Sequence, residues 1–489
     1  MNVEAQTTGI SQGVKEQVDR SSLALRLALP FSKRRGLLLL GDALLVSGAV
    51  LVALYLWAKV GGRTFNWEFM HPRWFWFPLL TALWWFLGSL SDLYDASIAG
   101  QRFEVTQRVG VVGLSLLVIY LALYFLLPRN ALPRLFFLFF TGIALVSILL
   151  WRWTYITVFT LPLFRRRVLI AGAGWAGRTI VQALAEHGNA DYHVVGFVDD
   201  DPEKHGVQVA GLPVLGNSRD LLSLVQAHQV DKVVIAITHQ MEGELFQALM
   251  DCRASGVYVI RMPALYEQLT RRVPVEHIER GWVVEAINDL PTLHRLEQWT
   301  KRVLDIVLGC LGALIFLSLL PFLALAITLD CPGPIFYRQV RLGLDGRSYW
   351  MLKLRTMVPG AEEDGRARWA RMDDERITRV GRILRKVRLD ELPQVFNVLR
   401  GEMSIVGPRP ERPEFIAELQ EQIPFYRTRL VIRPGLTGWA QIHYGYGNSV
   451  DDALVKLQYD LYYVRHWSLW MDLYVIFKTA GVMLRFEGT

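Results

Sequence analysis

Cysteine is scarce in this chain of 489 residues: only Cys252, Cys310 and Cys331 occur, and no two form a CxxC pair. That argues against a disulfide framework and a structural zinc site, and it suits a reducing, cytoplasmic setting. The histidines, His443 and His466 among them, show no metal-ligand spacing. There is no internal repeat and no low-complexity stretch. No dense Lys/Arg tail accompanies the net charge of +7, so nucleic acid is not an expected partner. The arginines instead flank apolar runs or sit among carboxylates, which suits anionic lipid headgroups and nucleotide phosphates. The chain is polar as far as about Ser22, unlike a cleaved signal peptide, and residues 1–30 are expected to form a disordered tail.

Apolar sequence is what the chain has in abundance. Hydrophobic residues make up 52%, mean hydropathy is +0.25, and these residues are gathered into runs. Four early runs, 37–58, 74–90, 109–127 and 135–151, each approach the roughly 20 residues of a bilayer-crossing helix. Asp42 near the start of the first is tolerable close to an interface or against another helix. Trp57, Trp74, Trp76, Tyr94, Trp151, Trp153 and Tyr155 cluster near the ends, as interfacial belts do. Basic residues are denser before the first run (Lys33, Arg34, Arg35), between the second and third (Arg102, Arg108) and after the fourth (Arg152, Arg165, Arg166, Arg167). This asymmetry predicts that both chain ends are cytoplasmic.

Strand and helix patterns alternate from about 166 to 290. Residues 168–171 read as an apolar strand entering Gly172-x-Gly174-x-x-Gly177 and a helix; 194–198, ending at Asp199, and 230–237 and 257–260 read as further strands. The alternation predicts a parallel, doubly wound, Rossmann-like sheet. The glycine spacing matches a dinucleotide fingerprint, with Asp199 as the candidate ribose-binding acid. Two readings stay open: a nucleotide held at Gly172, Gly174, Gly177 and Asp199, or a fold kept as a regulatory or packing module.

The fifth apolar run, 303–329, contains Pro321 and Ser318 and has basic residues on both sides, Lys301 and Arg302 before it and Arg338, Arg341 and Arg347 after it. A crossing helix should show asymmetry. Proline removes a backbone donor, and Ser318 is placed to satisfy a freed carbonyl. The expectation is a re-entrant helix that enters one leaflet and returns. Beyond it the sequence is charged and mixed, ending in 467–484, which reads as a helix in the interface plane or in the core.

Asp390 and Glu391 are adjacent carboxylates among Arg376, Arg379, Arg382, Arg385, Lys386 and Arg388. Arg379, Arg382 and Lys386 are spaced to line one helical face. Arg409, bracketed by Pro408 and Pro410, offers a rigidly placed guanidinium suited to phosphate. Lys353 and Arg355 add positive charge. Carboxylates beside arginines suit metal-assisted phosphoryl transfer, the acids holding a cation or attacking phosphorus and the bases holding the anion. Tyr349 and Lys353 have the spacing of a dehydrogenase proton-transfer pair, but lie across the fifth apolar run from the glycine turn and are read as coincidence. Residues 435–439 read as a turn or a substrate-contacting loop.

Five segments appear in one order: Lys353-Leu354-Arg355-Thr356-Met357, Arg376-Ile377-Thr378-Arg379-Val380-Gly381, Leu389-Asp390-Glu391-Leu392-Pro393-Gln394, Val406-Gly407-Pro408-Arg409-Pro410 and Arg433-Pro434-Gly435-Leu436-Thr437-Gly438-Trp439. Over about 297–489 this series resembles the bacterial sugar transferases, the monotopic polyprenyl-phosphate phosphoglycosyltransferases. Four spans and a Rossmann-like domain resemble the long members, which begin exopolysaccharide or O-antigen repeat units. The resemblance implies that a UDP-sugar binds with Mg²⁺, that a carboxylate attacks the β-phosphorus and releases UMP, and that the phosphosugar then passes to undecaprenyl phosphate. On that match Asp390 is the nucleophile, Glu391 aids metal binding or proton transfer, and Asp390 and Glu391 are the metal ligands. Arg409 grips a substrate phosphate, with Arg388, Arg379, Lys353 and Arg355 as further phosphate contacts. The helix break departs from the family: Ser318 and Pro321 are separated, where an adjacent Ser-Pro pair is usual.

The expected organisation is a tail (1–30), a four-helix transmembrane domain (31–160), a Rossmann-like α/β domain (161–295) and an α-rich mixed catalytic domain (296–489) with the re-entrant helix at 303–329. A homodimer in the bacterial inner membrane, with the catalytic domain on the cytoplasmic face, is the expected assembly. The rival reading is a membrane-anchored NAD-dependent nucleotide-sugar dehydratase or epimerase, which would need a Tyr/Lys pair inside the nucleotide domain.

Overall fold

The computed structural model describes residues 31–95, 101–126, 134–159, 165–188, 191–237, 243–275, 295–361, 374–445, 447 and 449–484. The expected N-terminal tail, the 276–294 junction, Tyr446 and Asn448 lie outside the described residues. The chain forms two compact units, residues 1–265 and 266–489.

Three of the four N-terminal apolar runs form helices, Phe31–Val60, Arg102–Leu126 and Arg134–Phe159, that are long and apolar enough to cross a membrane. The second run is shorter than expected. Its helix, Trp76–Leu90, has 15 residues, or about 22 Å against a hydrocarbon core of about 30 Å. The cause is local: Asn66 caps a four-residue helix by accepting from Phe69 N at 2.9 Å, and a 3-10 turn, His71–Arg73, with Pro72 inside follows it. Asp42 is fully buried and paired to Arg152 at 2.6 Å. Tyr94 Oη (2.7 Å) and Trp84 Nε1 (3.3 Å) donate to the same carboxylate oxygen. Residues from the first, second and fourth apolar segments thus close around one acid, as an intramembrane charge requires.

The α/β part holds six strands in the order β3-β4-β2-β1-β5-β6: β1 (Arg166–Ala171), β2 (Tyr192–Val198), β3 (Gln208–Val209), β4 (Leu212–Gly216), β5 (Lys232–Ile235) and β6 (Tyr258–Arg261). Only β3 and β4 pair antiparallel. Val168, Leu169 and Ile170 of β1 are fully buried at its centre. The strand order runs outward in both directions from β1, so the turn at Gly172 opens where the sheet divides. The sequence reading missed β3 and β4, because Gly211, at φ 77°, and Pro213 break up the apolar pattern.

In the second unit one helix, Arg295–Asp330, runs for 36 residues with Pro321 inside it. It is long and apolar enough to cross a membrane. Polar groups of its own unit grip it near its start and at its end. Lys301 Nζ donates to Asp472 at 2.7 Å, Arg302 donates to the carbonyls of Val398 and Leu399 at 2.7 Å, and Asp305 accepts from Ser404 Oγ and Ile405 N at 2.9 Å. At the far end Asp330 accepts from Val380 N at 2.8 Å. Ser318 Oγ donates to the carbonyl of Leu314 at 2.9 Å. That corrects the expected rescue: the carbonyl Pro321 leaves without its usual donor is that of Leu317, four residues back.

Strands β7 (Phe336–Leu342) and β8 (Ser348–Leu354) form an antiparallel hairpin, and β9 (Ser404–Val406) pairs parallel with β10 (Gly435–Thr437). Residues 435–439 are therefore a strand leading into the helix Trp439–His443, and not a turn. Backbone crowding explains the glycines: a Cβ on Gly435 would lie 2.1 Å from Gly407 N, and one on Gly438 would lie 2.2 Å from Gly407 O. In the last helix, Leu469–Leu484, Met471, Asp472, Tyr474 and Val475 are buried while Trp470 stays exposed.

Candidate active site

The helix Arg379–Lys386 ends where Arg388 adopts a left-handed backbone, φ 56°, turning the chain into the 3-10 turn Leu389–Gln394. That turn carries Asp390 and Glu391, only 6% and 8% exposed. Glu391 Oε1 accepts from Lys353 Nζ and from Arg409 Nη2, each at 2.9 Å. Lys353 arrives on β8 and Arg409 on the segment after β9, so three sequence segments converge on one carboxylate. Arg409 is itself held from behind: Arg429 Nη2 donates to its carbonyl and Arg341 Nη1 to that of Pro410, both at 3.1 Å. Arg429 is buried against Asp460 at 2.7 Å, and its Nη1 donates to Tyr426 Oη at 2.7 Å.

The two acids are driven apart electrostatically. Burial pushes the Asp390 carboxyl above its ordinary range, and the charge of Glu391 adds to that, against the pull of Lys353. Burial opposes the charge on Glu391 as well, yet Arg409 and Lys353 hold its carboxyl well below its ordinary range. Glu391 is thus the fixed anion and Asp390 the more basic oxygen, a division expected where neighbouring carboxyls take different tasks. The Asp390 carboxylate accepts no hydrogen bond among the described residues.

Both acids line a cavity of about 890 Å³, with ten Lys or Arg against four Asp or Glu in its wall. Such an excess of cations suits a diphosphate. Lys353, Arg355, Arg388 and Arg409 line it, but Arg379 does not. Arg379, Arg382 and Lys386 form an exposed face. Arg385, on the inner side of that helix, and Arg376 line the cavity instead. Arg355 gives its guanidinium to the carbonyls of Cys331 and Pro332, bracing the end of the long helix. Arg341, Glu411, Arg412, Arg429, Lys456 and Asp460 complete the charged wall. They are single residues with no local pattern, so only tertiary structure reveals them.

Among the described residues no three His, Cys, Asp or Glu side chains gather into a metal site. Two acids are still a fit for Mg²⁺, which is usually held by one or two carboxylates, waters and substrate phosphates. Tyr349 and Lys353 lie four residues apart on a strand, about 13 Å along it, so they cannot share a proton. In the α/β part, Gly172 (φ 110°) and Gly177 are required by packing: a Cβ on Gly177 would meet the Gly172 carbonyl at 2.1 Å. A Cβ on Gly174 would meet nothing within 4 Å. Asp199 accepts from Ala173 N at 2.7 Å and pairs with Lys204 at 3.2 Å.

Residues 296–486 match the family model described as bacterial sugar transferase, and residues 89–263 match one described as a CoA-binding domain. The UDP-N-acetylgalactosamine-undecaprenyl-phosphate N-acetylgalactosaminephosphotransferase of Aeromonas hydrophila is 37% identical over 50% of this chain and 56% of its own. The UDP-glucose:undecaprenyl-phosphate glucose-1-phosphate transferase of Escherichia coli (strain K12) is 34% identical over 65% of this chain and 67% of its own. A protein of the same name from Caulobacter vibrioides is 46% identical over 38% of this chain and 69% of its own. The chain thus spans little more than half the length of the Aeromonas relative and about two thirds of the other two. With four of the five ordered segments lining one cavity, the chain belongs to the bacterial sugar transferase family.

Proposed function

We propose that this protein transfers a sugar 1-phosphate from a UDP-sugar to undecaprenyl phosphate and releases UMP, as the first membrane step of exopolysaccharide or O-antigen synthesis. The observation that carries the reading is the Asp390 carboxylate: buried, made more basic and, among the described residues, without a hydrogen bond, beside a Glu391 already clamped by Lys353 and Arg409. An Asp390 oxygen forms a bond to the β-phosphorus, and the bond from that phosphorus to the bridging oxygen breaks, so UMP leaves with the electron pair. An oxygen of undecaprenyl phosphate then attacks the same phosphorus and frees the carboxylate. Splitting one transfer between a soluble and a lipid substrate into two steps is what a covalent intermediate achieves. Mg²⁺ bound by Asp390 or Glu391 would neutralise phosphoryl charge. Arg409 and Arg388 would hold substrate phosphate.

The helix Arg295–Asp330 fits a re-entrant placement, because the same charged unit grips it at Lys301, Arg302 and Asp305 near its start and at Asp330 at its end. Both ends then lie on one face of the bilayer, and the basic-residue asymmetry makes that face cytoplasmic. For the α/β part we favour a Rossmann-like module. The open space at Gly174 supports room for a nucleotide, although Asp199 is already engaged by the chain itself.

Incubation of the purified protein with undecaprenyl phosphate and a panel of UDP-sugars should yield UMP from at least one donor. EDTA should stop that release and added Mg²⁺ should restore it. Conversion of a UDP-sugar with bound NAD, without UMP, would favour the dehydratase or epimerase reading. Since Asp390 must be ionised to attack, the acid limb of kcat/KM should lie above the ordinary aspartate value of 3.8. An acid limb at or below that value would rule out a basic Asp390 as the attacking group.

A further inference from the structure

Phe336, Tyr337 and Val358 are large apolar side chains left 39%, 37% and 43% exposed, and all three line the cavity that holds Asp390. Pro334, Met357 and Pro359 line it too. This rim is continuous with the membrane helix: the buried ring of Phe316 meets Phe336 edge-on at 6.4 Å, and Ile335 packs into the cluster around Phe316 and Ile327. It is also one strand pair from the acids. Tyr337 stands in register with Lys353, whose ammonium bonds Glu391. Directly opposed residues of an antiparallel pair share a face of the hairpin.

Resting on the function proposed above, we infer that this rim is where the lipid acceptor enters, its first isoprene units lying over Phe336, Tyr337 and Val358 while its phosphate reaches Asp390. A nucleotide sugar has no apolar tail to gain from such a rim. A prenyl chain leaving the bilayer must keep its hydrocarbon covered up to the reacting phosphate, and an exposed apolar patch continuous with a membrane helix does that. The phosphate oxygen forms its bond to the phosphorus held on Asp390 as the phosphorus–Asp390 bond breaks.

Val358 suits the test, since its side chain is exposed and its backbone is pinned through a 3.0 Å bond to the Arg376 carbonyl. With the whole chain in nanodiscs, the quantities measured are UMP released from donor alone and KM for the donor, for undecaprenyl phosphate and for geranyl phosphate. Val358→Asp should raise KM for undecaprenyl phosphate about tenfold and shrink the preference over geranyl phosphate, while donor KM changes less than about twofold. Val358→Ile should behave as the parent does. Unchanged lipid KM and chain-length preference in both Val358→Asp and Tyr337→Ser would overturn the entry site. Failure of the parent itself to release UMP from donor alone would overturn the covalent mechanism and, with it, this inference.

Discussion

Asp390→Asn should lower transfer by roughly 10⁴-fold or more, because the amide keeps the shape of the side chain and loses the attacking oxygen anion. Glu391 cannot stand in for it. Its Oε1 accepts from both Lys353 and Arg409, and its strongly held charge makes it the weaker base. Mass spectrometry supplies the direct check. Parent protein incubated with donor alone and digested should gain a phosphosugar on the peptide that contains Asp390, and the variant should gain none. Turnover of Asp390→Asn at the parent rate would dismiss this residue as the nucleophile.

The second large effect is on stability. Arg429→Met should cost about 3–5 kcal/mol, the usual result of stripping one partner from a buried ion pair. Asp460 would be left buried without its cation, where burial already raises its carboxyl to about 6 even with Arg429 at 2.7 Å. Thermal unfolding in detergent should show a drop of several degrees. Arg429→Met with Asp460→Leu should recover much of that loss, since an apolar pair of similar volume is often tolerated. Transfer should not recover, because the Arg409 carbonyl still lacks its donor from Arg429. Full activity in the double variant would mean that Arg429 does not position Arg409.

Residues whose role is written in a short local pattern were legible before any coordinates. Asp390, Glu391, Lys353 and Arg409 sit in ordered segments, and the structure gathers them at one carboxylate. Periodicity placed Arg379, Arg382 and Lys386 on one helical face, but no periodicity says which way a face looks. Gly381 turns its side of the helix inward, where a Cβ would lie 2.2 Å from the Thr356 carbonyl, and that side takes Arg385 to the cavity. Arg429 and Asp460 belong to separate elements and meet only after folding. The strand at 435–437 was hidden because its glycines resemble turn residues until Gly407 is brought against them.

The acid inside the first apolar helix constrains how this protein is made. Emerging from the ribosome, that segment carries Asp42 more than a hundred residues before Arg152 exists, and an acid within an apolar span is costly until it finds its partner. Stable residence must therefore await the last of the early hydrophobic segments. A nascent chain halted short of it offers quality-control proteases an uncompensated anion.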